Sequence, residues 1–348
     1  MIEPTPQPSG PEPVDPAPLP FTVAWVVFGL LVFLLVGGTA QTLQLAWGLW
    51  FSELIIFAGL AVLGWQVLRI APLRITGLDQ LEPRSVGLGL AFGVLNYFAW
   101  AVPLMALAQA VFPKSVVEQF DGSQIFARQT PVELALVLVS VSVAAPLGEE
   151  LFFRGFMQRA LGQHQGAARA IVVTAFVFSA FHLDPVGLAA RFELGVLFGL
   201  LAWRSGSLWP AMAAHAANNA LSSALFFAAG EAKEADLVWW VPAVMFLVGN
   251  AALIALVRSS GGLRVTNPMR FEFTRATPWP QLVWPWALGA IAFLAALFLL
   301  DARGVQLNLI DAKLRPPKEL KQRADVKELR AKARRGEAPV DDYEAALK

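Results

Sequence analysis

Long uncharged hydrophobic runs, separated by short polar segments, are the main pattern along this chain. Residues 21–40, 86–113, 237–257 and 281–300 contain no charged side chain. A helix of about 20 apolar residues crosses a hydrocarbon core of ~30 Å, so each run is long enough to span a bilayer. The pattern predicts an all-α, polytopic transmembrane helical bundle with eight or nine spans. Their expected limits are 21–40, 45–67, 86–112, 131–152, 168–183, 188–203, 208–228, 237–257 and 281–300.

The two ends of the chain differ from this central region. Residues 1–20 are rich in proline and contain no Lys or Arg, which predicts a disordered tail and argues against a cleaved signal peptide. Residues 301–348 hold 12 Lys or Arg against 9 Asp or Glu in a mixed order. This mixture is typical of a charged, partly helical tail in water. We therefore expect a transmembrane domain over residues 21–300, flanked by two tails outside the bilayer.

The overall composition supports a membrane protein and excludes several kinds of site. Hydrophobic residues make up 56% of the chain and charged residues 15%, with a mean hydropathy of +0.56. Soluble domains contain about 25% charged residues, so the lipid bilayer is an expected partner. The absence of cysteine excludes disulfides, thiolate metal sites and a cysteine nucleophile. The net charge of +1 gives no sign of nucleic-acid binding, and no nucleic-acid partner is expected.

Arginines in the loops favour an N-terminus on the inner side of the membrane. In that orientation the inside loops are 68–85, 153–167, 204–207 and 258–280, and each contains at least one Arg. Nine spans would place the basic C-terminal tail outside, against the same rule. Either one span is miscounted or the tail crosses regardless of its charge.

Polar side chains inside the hydrophobic runs are the candidates for chemistry. An ionisable group in the bilayer core costs ~2.5–3.5 kcal/mol on insertion scales, so its presence suggests a function. Two of the three histidines lie in such runs, and the third, His164, lies in a predicted loop. The full set of candidates is Glu53, Glu133, Glu149, Glu150, Arg154, His182, Arg191, Glu193, His215, Asn218 and Asn219.

Helical spacing separates these candidates by role. Glu150 and Arg154 are four residues apart, which places them on one helix face as an ion pair. Glu149 points about 100° away from Glu150 and can face the interior of the bundle. His215 and Asn219 are also four residues apart, so both can face one cavity.

A carboxylate, two imidazoles and an amide that converge between helices are sufficient for hydrolysis. The carboxylate and one imidazole can hold a water molecule and take its proton. The other imidazole and the amide can donate hydrogen bonds to a carbonyl oxygen as it becomes an oxyanion. The residues alone also permit a metal site, an ion or proton pathway, or interhelical hydrogen bonds without catalysis.

Three short motifs then point to a known family. E-E-L-F-F-R at 149–154, F-S-A-F-H at 178–182 and H-A-A-N-N at 215–219 occur in that order on successive apolar segments. They resemble the three motifs of the CAAX protease and bacteriocin-processing family, which is related to the type II CAAX prenyl endopeptidases. The resemblance covers about residues 130–228 and marks this part as the expected protease core.

The resemblance implies a role for each motif residue. Glu149 and His182 would activate water, and His215 and Asn219 would form the oxyanion site. Glu150 and Arg154 would position or support Glu149. All motif positions are present, so an active intramembrane endopeptidase is expected.

The resemblance leaves the cofactor and the substrate open. Proteases of this family have been described as metal-free glutamate enzymes and as metal enzymes, so the cofactor is either none or divalent zinc. The expected partner is a membrane-associated protein or peptide, with a CAAX-type end or a C-terminal sorting tail. The expected location is the bacterial inner membrane. The alternatives are a non-catalytic scaffold or immunity-like protein and an ion- or proton-conducting transporter.

Overall fold

The computed structural model describes residues 19–68, 72–113, 116–117, 120, 122–126, 129–229, 240–261, 302–314 and 316–348. Within these ranges every regular element is helical, which confirms the predicted all-α class. The chain divides into two compact units, Met1–Leu282 and Val283–Lys348. The predicted span at 281–300 lies outside the described residues, as does nearly all of the predicted N-terminal tail.

Nine α-helices and one short 3-10 helix, Gly122–Phe126, make up the described part of the first unit. The α-helices are α1 (Leu19–Leu43), α2 (Leu45–Val67), α3 (Pro72–Thr76), α4 (Pro83–Val111), α5 (Pro131–Gln165), α6 (Ala167–Phe181), α7 (Leu188–Ser205), α8 (Trp209–Ala229) and α9 (Trp240–Ser260). Among the described residues, five helices are long and apolar enough to cross a membrane: α1, α2, α4, α5 and α9. Helices α7 and α8, which carry several of the polar candidates, lie outside this set. The structure thus confirms a bundle of apolar helices but not eight or nine spans.

A capping box begins α5 and explains one polar candidate. The Thr130 hydroxyl accepts a hydrogen bond from the Glu133 backbone N–H, and the Glu133 carboxylate accepts one from the Thr130 N–H. This reciprocal pair satisfies two N–H groups that a helix start leaves without partners. Gln44 also donates to Glu133, at 2.9 Å. Glu133 is therefore a helix-capping residue.

Helix α5 is longer than the sequence predicted. The expected span ended at residue 152 and was followed by a loop at 153–167, but the helix continues to Gln165. The loop prediction rested on polar side chains, yet Arg154 and Gln158 are fully buried. Each donates to a carbonyl of α7, which offsets part of the cost of burial. Arg154 Nε and Gln158 Oε1 have no hydrogen-bond partner among the described residues. His164 consequently lies in the last helical turn and not in a loop.

Two π-helical segments interrupt α5 on either side of the glutamate pair. They are Ser140–Ala144 and Leu151–Gln158. Similar segments occur in α1 (Phe33–Gly37), α2 (Phe51–Phe57) and α4 (Tyr97–Ala101), and the one in α2 contains Glu53. The π-helix is rare, and single π-turns inside α-helices are frequent at functional sites. Here the wider turns of α2 and α5 lie beside three buried carboxyl groups.

Glycines bring α8 close to α4. A Cβ atom on Gly93 would lie 2.3 Å from the Ala214 carbonyl oxygen, and one on Gly89 would lie 2.3 Å from that of Pro210. Only residues without a side chain permit this approach of two helix backbones. Because Ala214 precedes His215, the glycine face of α4 fixes the position of that histidine.

We expect Gly93→Ala to destabilise the bundle, because its new methyl group would overlap the Ala214 carbonyl. Overpacking of this kind costs about 1–3 kcal/mol. The matched control is Gly87→Ala on the same helix, where a Cβ would meet nothing within 4 Å. Thermal unfolding in detergent compares the two variants. Equal midpoints for both variants would show that this helix contact tolerates a side chain.

A second glycine pair lies on α7. A Cβ on Gly195 would lie 2.9 Å from the Ala175 Cα, and one on Gly199 would lie 2.6 Å from the Gln158 side-chain oxygen. Helix α7 therefore approaches both α6 and α5 closely. The carbonyls of these two glycines are also those that accept from Arg154 and Gln158.

The described part of the second unit is a small helical assembly. It contains α10 (Ala302–Leu314), α11 (Lys318–Gln322), α12 (Ala324–Arg335) and α13 (Val340–Leu347). Its core is formed by Leu307, Val326, Ala333, Tyr343 and Leu347. The Tyr343 hydroxyl donates to Asp311 at 2.8 Å. The predicted partly helical tail thus has a core of its own.

Candidate active site

Glu150 and Arg154 form the ion pair that their spacing predicted. Arg154 Nη1 lies 2.8 Å from Glu150 Oε1, and neither side chain has any exposed surface. Arg154 Nη2 donates to the Gly195 carbonyl at 3.0 Å. Its guanidinium carbon is 4.5 Å from the centre of the Phe178 ring and 5.3 Å from that of Phe198. These contacts compensate a cation buried among α5, α6 and α7.

His215 lies between the two glutamates. Its Nδ1 is 3.0 Å from Glu150 Oε1, and its Nε2 is 3.6 Å from Glu149 Oε2. The ring stacks on Phe198 with 4.7 Å between centres. Because Glu150 is ionised beside Arg154 and can only accept, Nδ1 of His215 carries a proton. The sequence predicted Glu150 as a partner of Arg154 alone, so its contact with His215 is a new finding.

His182 ends α6 with one ring nitrogen already engaged. Its Nδ1 lies 3.0 Å from the Phe178 carbonyl oxygen, which can only accept a hydrogen bond. The proton of a neutral His182 ring is therefore on Nδ1, and Nε2 keeps a lone pair. That lone pair can accept a proton from a water molecule.

The turn after His182 is held by an aspartate and an arginine. Asp184 Oδ1 accepts from the backbone N–H groups of Val186, at 2.8 Å, and Gly187, at 3.1 Å. Its other oxygen pairs with Arg191 Nη1 at 2.6 Å, which ties the turn to α7. Leu183 has φ = +53°, a left-handed conformation that costs energy for a side chain of this size. Neither the turn nor Asp184 was predicted as part of the site.

Glu193 has a partner on another helix. Its Oε2 accepts from Asn96 on α4 at 2.8 Å. The spacing of side chains predicts no partner for this carboxyl group, whereas the structure shows a contact between α4 and α7.

Asn219 faces the first π-segment of α5. Its Nδ2 donates to the Val141 carbonyl at 2.9 Å, and its Oδ1 accepts from Asn218 at 3.3 Å. These contacts fix which end of the amide carries the N–H groups. One of the two N–H bonds points to Val141, and the amide has a second that can donate to a ligand.

Four of the six predicted site residues line one cavity of about 600 Å³: Glu149, His182, His215 and Asn219. Glu150 and Arg154 are completely buried and support the residues that line it. Much of the remaining wall is apolar and includes Phe33, Phe57, Met105, Phe153, Phe181 and Phe226. Glu53 also lines the cavity. The size and the mixture of apolar wall and few polar groups are typical of ligand-binding sites.

The cavity lining includes imidazole and carboxylate groups, which are common metal ligands. Within the part of the chain that the structure describes, no three His, Asp or Glu side chains are placed to hold one ion. Nδ1 of His215 and Nδ1 of His182 are both engaged with protein oxygens. Such bonding through Nδ1 is also usual for histidines that bind a metal through Nε2, so it does not argue against an ion. No reaction step is assigned to a metal.

Comparison with known proteins finds a family match for the part of the chain that contains this site. Residues 131–221 match the family model described as type II CAAX prenyl endopeptidase Rce1-like. The chain therefore carries an Rce1-like segment. All six predicted site residues lie within the Rce1-like segment, and the match agrees with the resemblance that the three motifs predicted. No curated protein and no solved structure matched the chain.

Proposed function

We propose that this protein is an intramembrane endopeptidase that hydrolyses a peptide bond near the membrane surface. The observation that carries the proposal is the convergence of Glu149, His182, His215 and Asn219 on one cavity. This cavity lies in a helical bundle with an Rce1-like segment. Hydrolysis of an amide requires a base that accepts a proton from water and donors that stabilise the oxyanion.

Water activation is assigned to Glu149 and His182. The lone pair on His182 Nε2 and the Glu149 carboxylate can both accept hydrogen bonds from one water molecule. As the water oxygen attacks the peptide carbonyl carbon, its proton passes to one of these groups. The same proton then moves to the leaving nitrogen as the C–N bond breaks.

Stabilisation of the oxyanion is assigned to His215 and Asn219. The second N–H of the Asn219 amide can donate to the developing oxyanion. His215 donates from Nδ1 to Glu150, so donation from Nε2 requires a doubly protonated, positively charged ring. The carboxyl groups of Glu149 and Glu150 lie 3.6 Å and 3.0 Å from the two nitrogens of this ring.

Glu150 and Arg154 position the other residues. Glu150 connects Arg154 to His215 through a single oxygen, Oε1. Arg154 in turn anchors α5 to α7 through the Gly195 carbonyl. Loss of either side chain would therefore change the orientation of His215.

The proposed substrate is a membrane-associated protein or peptide. The apolar wall of the cavity suits an apolar peptide segment entering from the bilayer. Both a CAAX-type end and a C-terminal sorting tail have this character. The proposed location is the bacterial inner membrane.

We expect His182→Ala to lower cleavage by at least ~10²-fold, because general-base catalysis typically contributes 10²–10⁴. The matched control is His164→Ala, which removes a histidine outside the cavity lining. Mass spectrometry of the C-terminal peptides of membrane proteins compares cells that carry each variant. Identical peptide sets for wild type and His182→Ala would contradict the proposal and favour a non-catalytic membrane protein. Glu149-dependent ion flux in liposomes would favour a transporter.

A further inference from the structure

Glu53 is a buried carboxyl group in the same cavity, on a helix outside the Rce1-like segment. It belongs to the π-helical segment Phe51–Phe57 of α2 and is only 6% exposed. Its Oε2 atom is buried and has no hydrogen-bond partner among the described residues. A buried polar atom without a partner is costly, so it calls for a ligand, a water molecule or a proton.

The backbone of Glu53 contacts α5 next to Glu149. A Cβ atom on Gly148 would lie 2.1 Å from the Glu53 carbonyl oxygen and 3.2 Å from its Cα. Gly148 therefore allows α2 to approach at the residue that precedes Glu149. The side chains of Glu53 and Glu149 line the same cavity.

The charges around this pair do not balance if both carboxyl groups are ionised. Glu150 is paired with Arg154, and Glu149 has His215 at 3.6 Å. For Glu53, no salt bridge to a cation is found in the described part of the chain. The other titratable or charged groups that line the cavity are Tyr97, His182, Asp184, Arg191 and His215. Arg191 is engaged by Asp184.

Two carboxyl groups that share a desolvated site generally hold one proton between them. The ionised member of such a pair is the one with the better hydrogen-bonding neighbour. Of the two, Glu149 is the one beside an imidazole, that of His215. The protonated member then becomes a hydrogen-bond donor. The buried Oε2 atoms of Glu53 and Glu149 both lack a hydrogen-bond partner among the described residues.

We propose that Glu53 and Glu149 form a carboxylic acid–carboxylate pair, in which protonated Glu53 positions the Glu149 carboxylate. Glu53 acts through Glu149 and is a positioning residue of the site. Its consequence for cleavage rests on the proposed function, whereas its protonation does not. The two parts are therefore tested separately.

The first test is infrared difference spectroscopy of the purified protein in lipid, with wild type against Glu53→Gln. We expect the wild type to show a protonated carboxyl C=O band near neutral pH that is absent in Glu53→Gln. If Glu53→Gln instead lost carboxylate bands that the wild type shows, Glu53 would be ionised in the wild type and the proposal would be overturned. The amide is close in size to the acid, so this variant keeps the packing against Gly148.

The second test separates hydrogen bonding from simple packing. Glu53→Ala removes the donor, and we expect kcat to fall at least tenfold with KM little changed, because hydrogen bonds to charged groups are strong. Glu53→Gln keeps an N–H donor and should retain most of the wild-type kcat. The matched control is Glu193→Gln, a partly buried carboxyl group that contacts Asn96 and does not belong to the cavity lining.

The measured kcat values decide whether Glu53 positions Glu149. Equal kcat for Glu53→Ala and wild type would overturn the positioning role, as would equal loss in the Ala and Gln variants. If the wild-type protein cleaves nothing, the proposed function fails, while the infrared result still decides the protonation of Glu53.

Discussion

Replacing Glu149 by glutamine is expected to lower the rate of peptide cleavage by at least ~10²-fold while the protein still folds and inserts. Glutamine has the shape of glutamate but cannot accept a proton from water, and general-base catalysis is typically worth 10²–10⁴. Glu149 is the glutamate of the pair that lines the cavity, whereas Glu150 is fully buried behind it. The effect should fall on kcat, since the missing interaction belongs to the transition state.

The effect of Glu149→Gln on the cleavage rate can be measured only with a substrate, which is first identified in cells. Membrane-protein C-terminal peptides from cells with wild type and with Glu149→Gln are compared by mass spectrometry, and one peptide that differs is then assayed with purified protein. Glu149→Ala should give the same result, and His164→Ala serves as the matched active control. A Glu149→Gln variant with the wild-type rate would remove Glu149 from the mechanism. Metal analysis of the same purified protein addresses the cofactor.

Replacing Arg154 by methionine is expected to cost about 3–5 kcal/mol of stability, because it leaves the Glu150 charge buried without its partner. Both side chains are completely buried, so solvent cannot screen the remaining charge. The same change removes the bond to the Gly195 carbonyl. Unfolding in detergent, followed by heat or denaturant, measures the loss. The matched control is Arg204→Met, an exposed arginine whose replacement should change stability by at most ~0.5 kcal/mol.

A double variant separates the stability of the ion pair from its role in the site. Glu150→Gln with Arg154→Met removes both charges, and we expect it to recover much of the stability lost by Arg154→Met alone. Cleavage should stay low, because His215 has lost the carboxylate that accepts from its Nδ1. If Arg154→Met alone were as stable as the wild type, the buried charge of Glu150 would have to be compensated by another group.

Hydrophobic patterning predicted much of the fold because it acts locally. Helix α2 was predicted at 45–67 and is found at Leu45–Val67, and α4 was predicted at 86–112 and is found at Pro83–Val111. In both cases the apolar run itself determines the helix length. Helix α5 was predicted too short, because its second half contains Arg154 and Gln158. Their partners are 41 residues away in the chain and cannot be read from local pattern.

The candidate site shows the same division between local and distant information. The residues of the three motifs and the Glu150–Arg154 pair follow from the order and spacing of side chains along single helices. By contrast, His215 and Glu150 are 65 residues apart, and Glu53 lies on a helix that the motifs do not include. The amino-acid sequence by itself determined the apolar helices, the polar residue types and their order. The tertiary structure alone decided which of them meet, because small residues such as Gly93 and Gly148 set how closely the helices approach.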